Sequence, residues 1–330
     1  MRYSQNFCNK FQRTVKVQID RDDEGLNLEE RALILLRDEP RLSDIIPAIY
    51  PFKNDELRLP ILSPNKKGDL QHAYLAVYQQ MPGEKYDASK PIGENRLKIE
   101  NLARTHRIGL EKLQELNIRS DYVPTKIPFK ERNFEDWYQK IDDLIESDDG
   151  STRQLGYLLQ IHLQGIESDY HVMDQRAQEG EIPKLNLEYN IFTDVHPWNF
   201  LYKGDEVSAM FDLEFLQKGG LTDLASPLIR IARTGGNVIP KNIGDNMKIY
   251  LDAFCEDENS EIANAYQQQL PWMNLVFRER VIQNAIYDVW SSLMKKGSGG
   301  LDSASRNLTL HAWLNNEENK NYFDQYMIKT

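Results

Sequence analysis

The sequence predicts an α+β fold with a strand-rich first part and a helical remainder. In residues 13–20, Val15, Val17 and Ile19 alternate with polar residues, which is the period of a half-buried strand. From Gly93 onward, apolar residues instead recur at the intervals of an amphipathic helix, and similar helical patterns continue almost to the C-terminus. The change of period divides the chain into two parts with different secondary structure.

The composition is that of a globular chain. It has 330 residues, of which 40% are hydrophobic, so one large or two small domains fit. No run approaches the roughly 18 apolar residues of a membrane span, and the N-terminus lacks the order of a signal peptide. Two cysteines, Cys8 and Cys255, are too few for a disulfide framework. We therefore expect a cytoplasmic protein without a membrane partner.

The charge disfavours one class of function. The formal net charge is −11, whereas nucleic-acid-binding proteins usually present a basic face. We therefore expect no nucleic-acid partner. An acidic surface also suits a cationic substrate, although acidic surfaces are common.

The first helix is predicted at 28–36, where the apolar residues form one stripe. Asn27 is placed as its N-cap, with Glu30 at the third helical position of a capping box. Further strand segments are predicted at 45–52, 56–62 and 73–80. The last of these runs into Met81-Pro82-Gly83, which is a turn signal.

The most informative stretch is 190–214, NIFTDVHPWNFLYKGDEVSAMFDLE. Short apolar runs at 200–202 and 207–211 flank a turn signal around Gly204, so we predict a β-hairpin.

This hairpin should bring Asp194, Asn199 and Asp212 to one end of the sheet. Two carboxylates and an amide form a hard-oxygen site suited to Mg²⁺. Such a site suits phosphoryl transfer, in which the protein mainly positions groups and neutralises charge. An alternative interpretation by residue type makes Asp194 a helix or turn cap, Asn199 a turn residue and Asp212 an acid at the end of a strand.

In order and spacing, these residues resemble the catalytic signature of the aminoglycoside phosphotransferase and choline kinase superfamily. That signature is roughly H-G-D-x-H-P-x-N, then [IVF]-D-[FWL]-[ED], then D-L-A. The matching segments are 192–199 (FTDVHPWN), 211–214 (FDLE) and 223–225 (DLA). Phe192 and Thr193 stand where the signature has His and Gly. The third segment is expected to open a helix that runs to residue 234 and ends at two glycines.

The resemblance implies a two-lobed, protein-kinase-like fold. A small, shortened, β-rich N-terminal lobe would take residues 1–82, and a larger helical lobe 83–330. It implies ATP and Mg²⁺ as cofactors and a small-molecule hydroxyl as phosphate acceptor, of the aminoglycoside, choline, sugar or amino-acid type. Asp194 would be the catalytic base or orienter of that hydroxyl, and Asn199 and Asp212 the metal ligands.

The resemblance also implies the residues that hold the nucleotide. Lys16 would be the strand lysine that reaches the ATP phosphates, paired with Glu30 or Glu29 on the following helix. The backbone around Gln79, Gln80 and Met81 would bond the base. By residue type alone, Lys16 is a solvated strand lysine and the glutamates are surface charges.

One feature favours a different function. No glycine precedes Gly25, whereas the kinase fold uses a glycine-rich loop to let the backbone approach the phosphates. The alternative is a catalytically degenerate, kinase-like protein that serves in binding or regulation. A protein kinase is a weaker alternative, because the His-Pro after Asp194 resembles the small-molecule branch.

The histidines outside this stretch are not predicted to be ligands. His106 lies in the helical pattern after Gly93 and is interpreted as a partly buried helix residue. His162 and His171 have a possible metal spacing, but no third ligand accompanies them.

Overall fold

The structure is a computed structural model. It describes residues 13–19, 23–51, 57–64, 70–87, 89–90, 92–116, 134–185, 189–192, 195–211, 215–219, 221–231, 233–234, 237–238, 240–295 and 299–320. The chain forms two compact units. One comprises Met1–Asp87, Asn95–Ile127 and Asn190–Gln217, and the other Ala88–Glu94, Pro128–Tyr189 and Lys218–Thr330. The lobe boundary predicted after residue 82 stays a prediction, because these units are not single stretches of chain.

The first unit contains an antiparallel sheet built on β4 (Leu70–Gln79). β1 (Arg13–Ile19) pairs with β4 from Arg13 opposite Gln79 to Ile19 opposite Ala73. β2 (Ile49–Tyr50) and β3 (Leu59–Pro64) also pair with β4. The alternation of apolar and polar residues therefore located β1 and β4 correctly.

The first helix, α1 (Asp23–Arg37), begins earlier than predicted. Asn27 lies inside it and is not its N-cap, so that prediction was wrong. Acidic residues are favourable in the first turn of a helix, and the sequence has Asp23 and Glu24 there, ahead of the apolar stripe. Glu30 is consequently an interior residue of α1.

The rest of the first unit holds the stretch that the motifs mark. Its elements are α2 (Ile92–Leu113, in this unit from Asn95), β5 (Glu84–Lys85), β6 (Tyr189–Phe192, in this unit from Asn190), β7 (Phe200–Lys203), β8 (Glu206–Met210) and β9 (Phe215–Gly219, in this unit to Gln217). β5, β7 and β8 form a three-stranded sheet, and β6 pairs with β9.

The second unit is helical. Its helices are α3 (Phe134–Ile145), α4 (Gly150–Gln178), α5 (Thr222–Ile231), α6 (Pro240–Phe254), α7 (Glu261–Gln269), α8 (Met273–Lys295), α9 (Gly299–Leu314) and α10 (Glu317–Lys320). α8 packs against α3, α4, α5 and α9, and it is buried on nearly all sides, as expected of a helix at the centre of a core. Within the described ranges, no helix combines the length and apolar content needed to cross a bilayer.

The C-terminal end of α5 differs from the prediction. The helix ends at Ile231 and not at residue 234, because Arg233 and Thr234 form β10 (Arg233–Thr234). This strand pairs with β11 (Asn237–Val238). The intervening Gly-Gly dipeptide is as typical of a hairpin turn as of a helix end, so the sequence alone favoured the wrong one.

Candidate active site

The predicted hairpin is present in the first unit. β7 and β8 are antiparallel, with Phe200 opposite Met210 and Lys203 opposite Glu206. Gly204, at the turn, has a φ of 63°, a left-handed conformation that costs glycine little. The turn residues and the two short apolar runs therefore predicted this element correctly.

The open end of the hairpin is closed at Asn199. The N–H of Phe211 donates a hydrogen bond to the carbonyl of Asn199, at 2.8 Å. Asn199 ends a short 3-10 turn (Pro197–Asn199), and its own N–H donates to the His196 carbonyl at 2.9 Å. The first of these bonds places the backbone of Asn199 directly across from Phe211, the residue before position 212. The Asn199 side chain is half-buried.

Part of the predicted site is not described. Asp194 and Asp212 lie outside the described residues, and so do the side chains of Lys16 and Glu29. The backbone of Lys16 pairs with that of Ala76, a residue that is only 3% exposed. Position 16 is therefore opposite a buried position of β4. The roles assigned to these residues stay predictions.

Glu30 has a cationic neighbour that the sequence did not reveal. Its carboxylate lies 3.7 Å from Nε of Arg58, and both side chains are largely buried. The Arg58 guanidinium also lies over the Tyr74 ring, 4.9 Å from its centre. No local pattern marks Arg58, because the contact joins α1 to the residue just before β3.

The first residue of the predicted base-binding segment, Gln79, is already hydrogen-bonded to the chain beside β4. The N–H of Gln79 donates to the carbonyl of Ala48 at 2.7 Å, and the side-chain oxygen of Gln79 accepts from the N–H of Ala48 at 3.3 Å. Gln80 is half-buried and Met81 is buried. The prediction that backbone N–H groups bind a base therefore rests on Gln80 and Met81.

The chain leaving this segment packs directly against the hairpin. The hydroxyl of Ser208 in β8 donates to the carbonyl of Pro82 at 2.6 Å. Gly83 follows with a φ of 132°, and β5 then pairs with β7, with Glu84 opposite Tyr202. The predicted base-binding segment and the predicted metal-binding hairpin are therefore joined by backbone and side-chain contacts.

α2 holds the strand that leads into the predicted catalytic segment. The side-chain amide of Asn190 donates to the carbonyls of Leu113 and Leu116, at 3.0 and 2.9 Å. In return, the side chain of Gln114 accepts from the N–H of Asn190 and donates to its carbonyl, both at 2.9 Å. Asn190 thus adds a hydrogen-bond donor to two carbonyl groups, one at the C-terminal end of α2 and one in the turn that follows, where the regular bonding of the helix ends.

Two further contacts join α2 to this segment. The side-chain amide of Asn101 donates to the carbonyl of Asp205, in the hairpin turn, at 3.0 Å. The ring of His106 packs against that of Phe192, with centres 5.8 Å apart. A Cβ at Gly109 would lie 3.1 Å from the Phe192 ring. Phe192, which stands where the signature has histidine, is therefore a packing residue.

An aromatic cluster surrounds the 3-10 turn. The Trp198 ring contacts Tyr86 and His196 edge-on, each with centres 5.9 Å apart. Tyr86 also contacts Tyr202. Burial raises the pKa of Tyr86 to about 12, with a smaller contribution from nearby Asp87, so this hydroxyl stays protonated. The cluster holds the turn that carries Asn199.

His106 is fully buried rather than partly buried, and burial lowers its pKa to about 3. Its folded pKa lies below the unfolded value near 6.5, so the unfolded chain binds the proton more tightly. The resulting stability is complete above about pH 6.5 and decreases as the pH falls toward 3. We expect this group to remove about 2 kcal/mol from the free energy of unfolding between pH 7.5 and 5.

Urea unfolding of the wild type and of His106→Leu at both pH values checks this expectation. The variant should lose less stability on acidification by about that amount. An identical loss in the two proteins would show that His106 is not buried in its neutral form.

Within the described ranges, no cluster of three or more histidine, cysteine, aspartate or glutamate side chains could hold a metal ion. His162 instead packs against His311 in the second unit, with ring centres 4.6 Å apart.

No family model matches the sequence, and no curated protein matches it. Solved structures do match. The chain aligns over 95% of its length with 82% of an amicoumacin kinase in complex with AMP-PNP and Ca²⁺ (TM-score 0.58, 12% identity). It aligns over 96% with 79% of a Plasmodium vivax ethanolamine kinase (TM-score 0.56, 12% identity). It also aligns over 96% with 86% of an aminoglycoside phosphotransferase from Alicyclobacillus acidocaldarius (TM-score 0.54, 13% identity).

This likeness shows the fold. The predicted α+β, protein-kinase-like fold is confirmed, and the matching structures belong to the superfamily that the motifs resemble.

Proposed function

We propose that this protein is an ATP- and Mg²⁺-dependent phosphotransferase that acts on a hydroxyl group of a small molecule. The hydrogen bond from the N–H of Phe211 to the carbonyl of Asn199 carries the proposal. Because this bond joins Phe211 to Asn199, it supports the proposal that Asp212, the residue after Phe211, lies near Asn199 at the open end of the hairpin. An amide and a carboxylate from adjacent backbone positions suit Mg²⁺, which takes a few protein oxygens and fills its other positions with phosphate and water.

The remaining roles follow from what phosphoryl transfer requires. Asp194 would orient the acceptor hydroxyl and accept its proton, while Asn199 and Asp212 hold the metal that neutralises the phosphates. Lys16 would contact the phosphates, and Glu30 would hold Lys16 in place. Arg58, 3.7 Å from Glu30, already contributes positive charge beside that carboxylate.

The base of the nucleotide would bind at Gln80 and Met81. Two observations support this placement. β4 ends just before these residues, and the following Pro82 is hydrogen-bonded to Ser208 of the hairpin. A base bound there would lie on the same compact unit as the proposed metal ligands. The nucleotide would therefore be held by fixed groups both at its base and at its phosphates.

The acceptor is proposed as a class. The solved structures with this fold include kinases named for ethanolamine and for aminoglycosides. Both names denote amine-bearing alcohols. A net charge of −11 suits a cationic acceptor of this kind. Amino alcohols and aminoglycosides therefore come first in a screen for ADP release, and choline, sugars and hydroxyl amino acids follow.

A second candidate is a kinase-like protein that binds nucleotide without transferring phosphate. Phe192 favours it, because this residue replaces the histidine of the signature and is only 1% exposed. It cannot supply the hydrogen bonds that a histidine would.

Thermal unfolding with Mg²⁺-ATP tests the proposal. A ligand at about 100 times its dissociation constant stabilises the folded state by about 2.7 kcal/mol, so we expect a clear rise in melting temperature. Mg²⁺ alone and ATP with EDTA are the controls, and each should give a smaller shift. No shift with Mg²⁺-ATP would contradict both candidates.

Asp194→Asn separates the two candidates. This variant should keep the shift with Mg²⁺-ATP but lose acceptor-dependent ADP release, because the amide cannot accept the hydroxyl proton. A shift in the wild type, together with no ADP release for any acceptor, would favour the binding protein.

A further inference from the structure

Helix α4 presents a long stripe of exposed side chains without charge. Four large apolar residues on it are between 42% and 64% exposed: Tyr157, Leu158, Ile161 and Val172. All positions from 154 to 175 are described, and the exposed ones among them carry no charged side chain. We call these exposed positions of 154–175 the α4 stripe. The core face of the helix, which includes Leu159, Leu163 and Ile166, lies on its opposite side.

The α4 stripe contrasts with the rest of the surface. The chain is 28% charged and carries a net charge of −11. Elsewhere in the described ranges, the exposed large apolar side chains are spread over α1, β3, α2 and α9, with no more than two in any one element. Scattered exposed apolar residues need no explanation, whereas a contiguous patch marks an interaction surface. Arg153 and Arg176 lie just beyond its ends, and Arg176 is bound to Glu181 at 3.0 Å.

We propose that the α4 stripe binds the same stripe of a second copy of this chain, related by a two-fold axis between Gln164 and Gly165. When two antiparallel helices are related by this axis, each residue faces the residue of the other copy for which the two residue numbers add up to about 329. Ile161 then faces Ser168 of the other copy, and Gln164 faces Gly165. Each larger side chain meets a smaller one, which is the complementarity that an isologous contact requires.

The other pairs are also compatible. Tyr157 would face Val172, and Leu158 would face His171. A Cβ at Gly165 would meet nothing within 4 Å, so this glycine leaves open space at the axis for the partner helix. A shallow crossing angle of about 20° keeps such helices in contact over several turns.

The net charge of the chain, together with the lack of charge on the α4 stripe, favours a second copy over a charged partner. Two copies of a strongly acidic chain repel each other over most of their surface. They approach most easily where few charged side chains have to be desolvated. The exposed positions of the α4 stripe carry no charge, and the neighbouring Asp169 is already bound to Arg278 at 2.7 Å. An acidic or basic partner would gain no charge complementarity from the α4 stripe.

The expected dimer is modest in strength. The α4 stripe is roughly 30 Å long at the rise of an α-helix, and it offers ten exposed positions. Stable interfaces typically use about 20–30 residues a side. We therefore expect a reversible, concentration-dependent dimer with a micromolar dissociation constant.

Sedimentation velocity from 1 to about 100 µM tests the proposal. The wild type should shift from monomer to dimer across this range. Ile161→Glu would bury a negative charge against Ser168 of the other copy at two symmetry-related places, and it should remain monomeric at every concentration. Ile34→Glu, at an apolar position of α1 that is 52% exposed, is the matched control and should dimerise like the wild type. A wild type that stays monomeric, or an Ile161→Glu variant that still dimerises, would overturn the proposal.

Cysteine cross-linking tests the two-fold geometry. In a background with Cys8→Ser and Cys255→Ser, Gly165→Cys lies beside the axis and should form an intermolecular disulfide under mild oxidation. Gln175→Cys lies roughly 30 Å from its counterpart in the antiparallel arrangement and should not. Equal cross-linking of both variants would overturn the antiparallel arrangement.

Discussion

Replacing Asp212 by alanine is expected to reduce phosphoryl transfer by about 1,000-fold or more. Metal and charge stabilisation supply most of the catalysis in this reaction, and this carboxylate is the charged ligand proposed for the metal. Asn199, whose carbonyl is bound by the residue before Asp212, would be left to hold the metal alone. Acceptor-dependent ADP release, measured with the best acceptor from the screen, gives the rate.

The matched control is Asp205→Ala on the turn of the same hairpin. Its contact with Asn101 is made by the backbone carbonyl, which the substitution leaves in place. The control should therefore keep the wild-type rate. If Asp212→Ala also retained that rate, Asp212 would not be a metal ligand and the proposed function would lose its main support.

Replacing Gly83 by alanine should destabilise the first unit by about 3 kcal/mol. Its φ of 132° is strained for any residue with a Cβ. An added Cβ would also collide with the Ser208 hydroxyl and lie 2.9 Å from Cβ of Leu201 and 3.0 Å from the Tyr202 carbonyl. Because the hydroxyl of Ser208 bonds to Pro82, its displacement would break the contact between the predicted base-binding segment and the hairpin.

Gly204→Ala separates the cost of the backbone conformation from the cost of the steric collision at Gly83. Gly204 also has a positive φ, of 63°, but a Cβ there would meet nothing within 4 Å. We expect this variant to lose only about 1 kcal/mol, the usual cost of the left-handed conformation. Urea unfolding measures both. Equal losses would mean that packing against the hairpin contributes nothing at Gly83.

Several elements were predictable because their signal is local. Alternating apolar residues predicted β1, and the turn residues around Gly204 predicted the hairpin, since each pattern is read within a few neighbouring positions. The start of α1 was mispredicted because acidic residues, rather than apolar ones, form its first turn.

The contacts that position the candidate site were not predictable. Arg58 lies beside Glu30, and Gln114 bonds the backbone of Asn190, across sequence separations that no motif spans. A single sequence shows residue types and periods, whereas these pairs depend on how α1, α2 and the strands pack. The motif therefore indicated the candidate residues. The structure then showed which contacts hold those candidates that it describes.

The two hydrogen bonds that the Asn190 side chain donates make the junction between β6 and α2 depend on a single uncharged amide. Deamidation would convert its side-chain amide into a carboxylate. The group that now donates to the carbonyls of Leu113 and Leu116 would become an anion facing two oxygen atoms. It would also lie at the negative end of the helix dipole. A carboxylate at position 190 would therefore weaken the attachment of β6 to α2 while leaving the hydrophobic core unchanged.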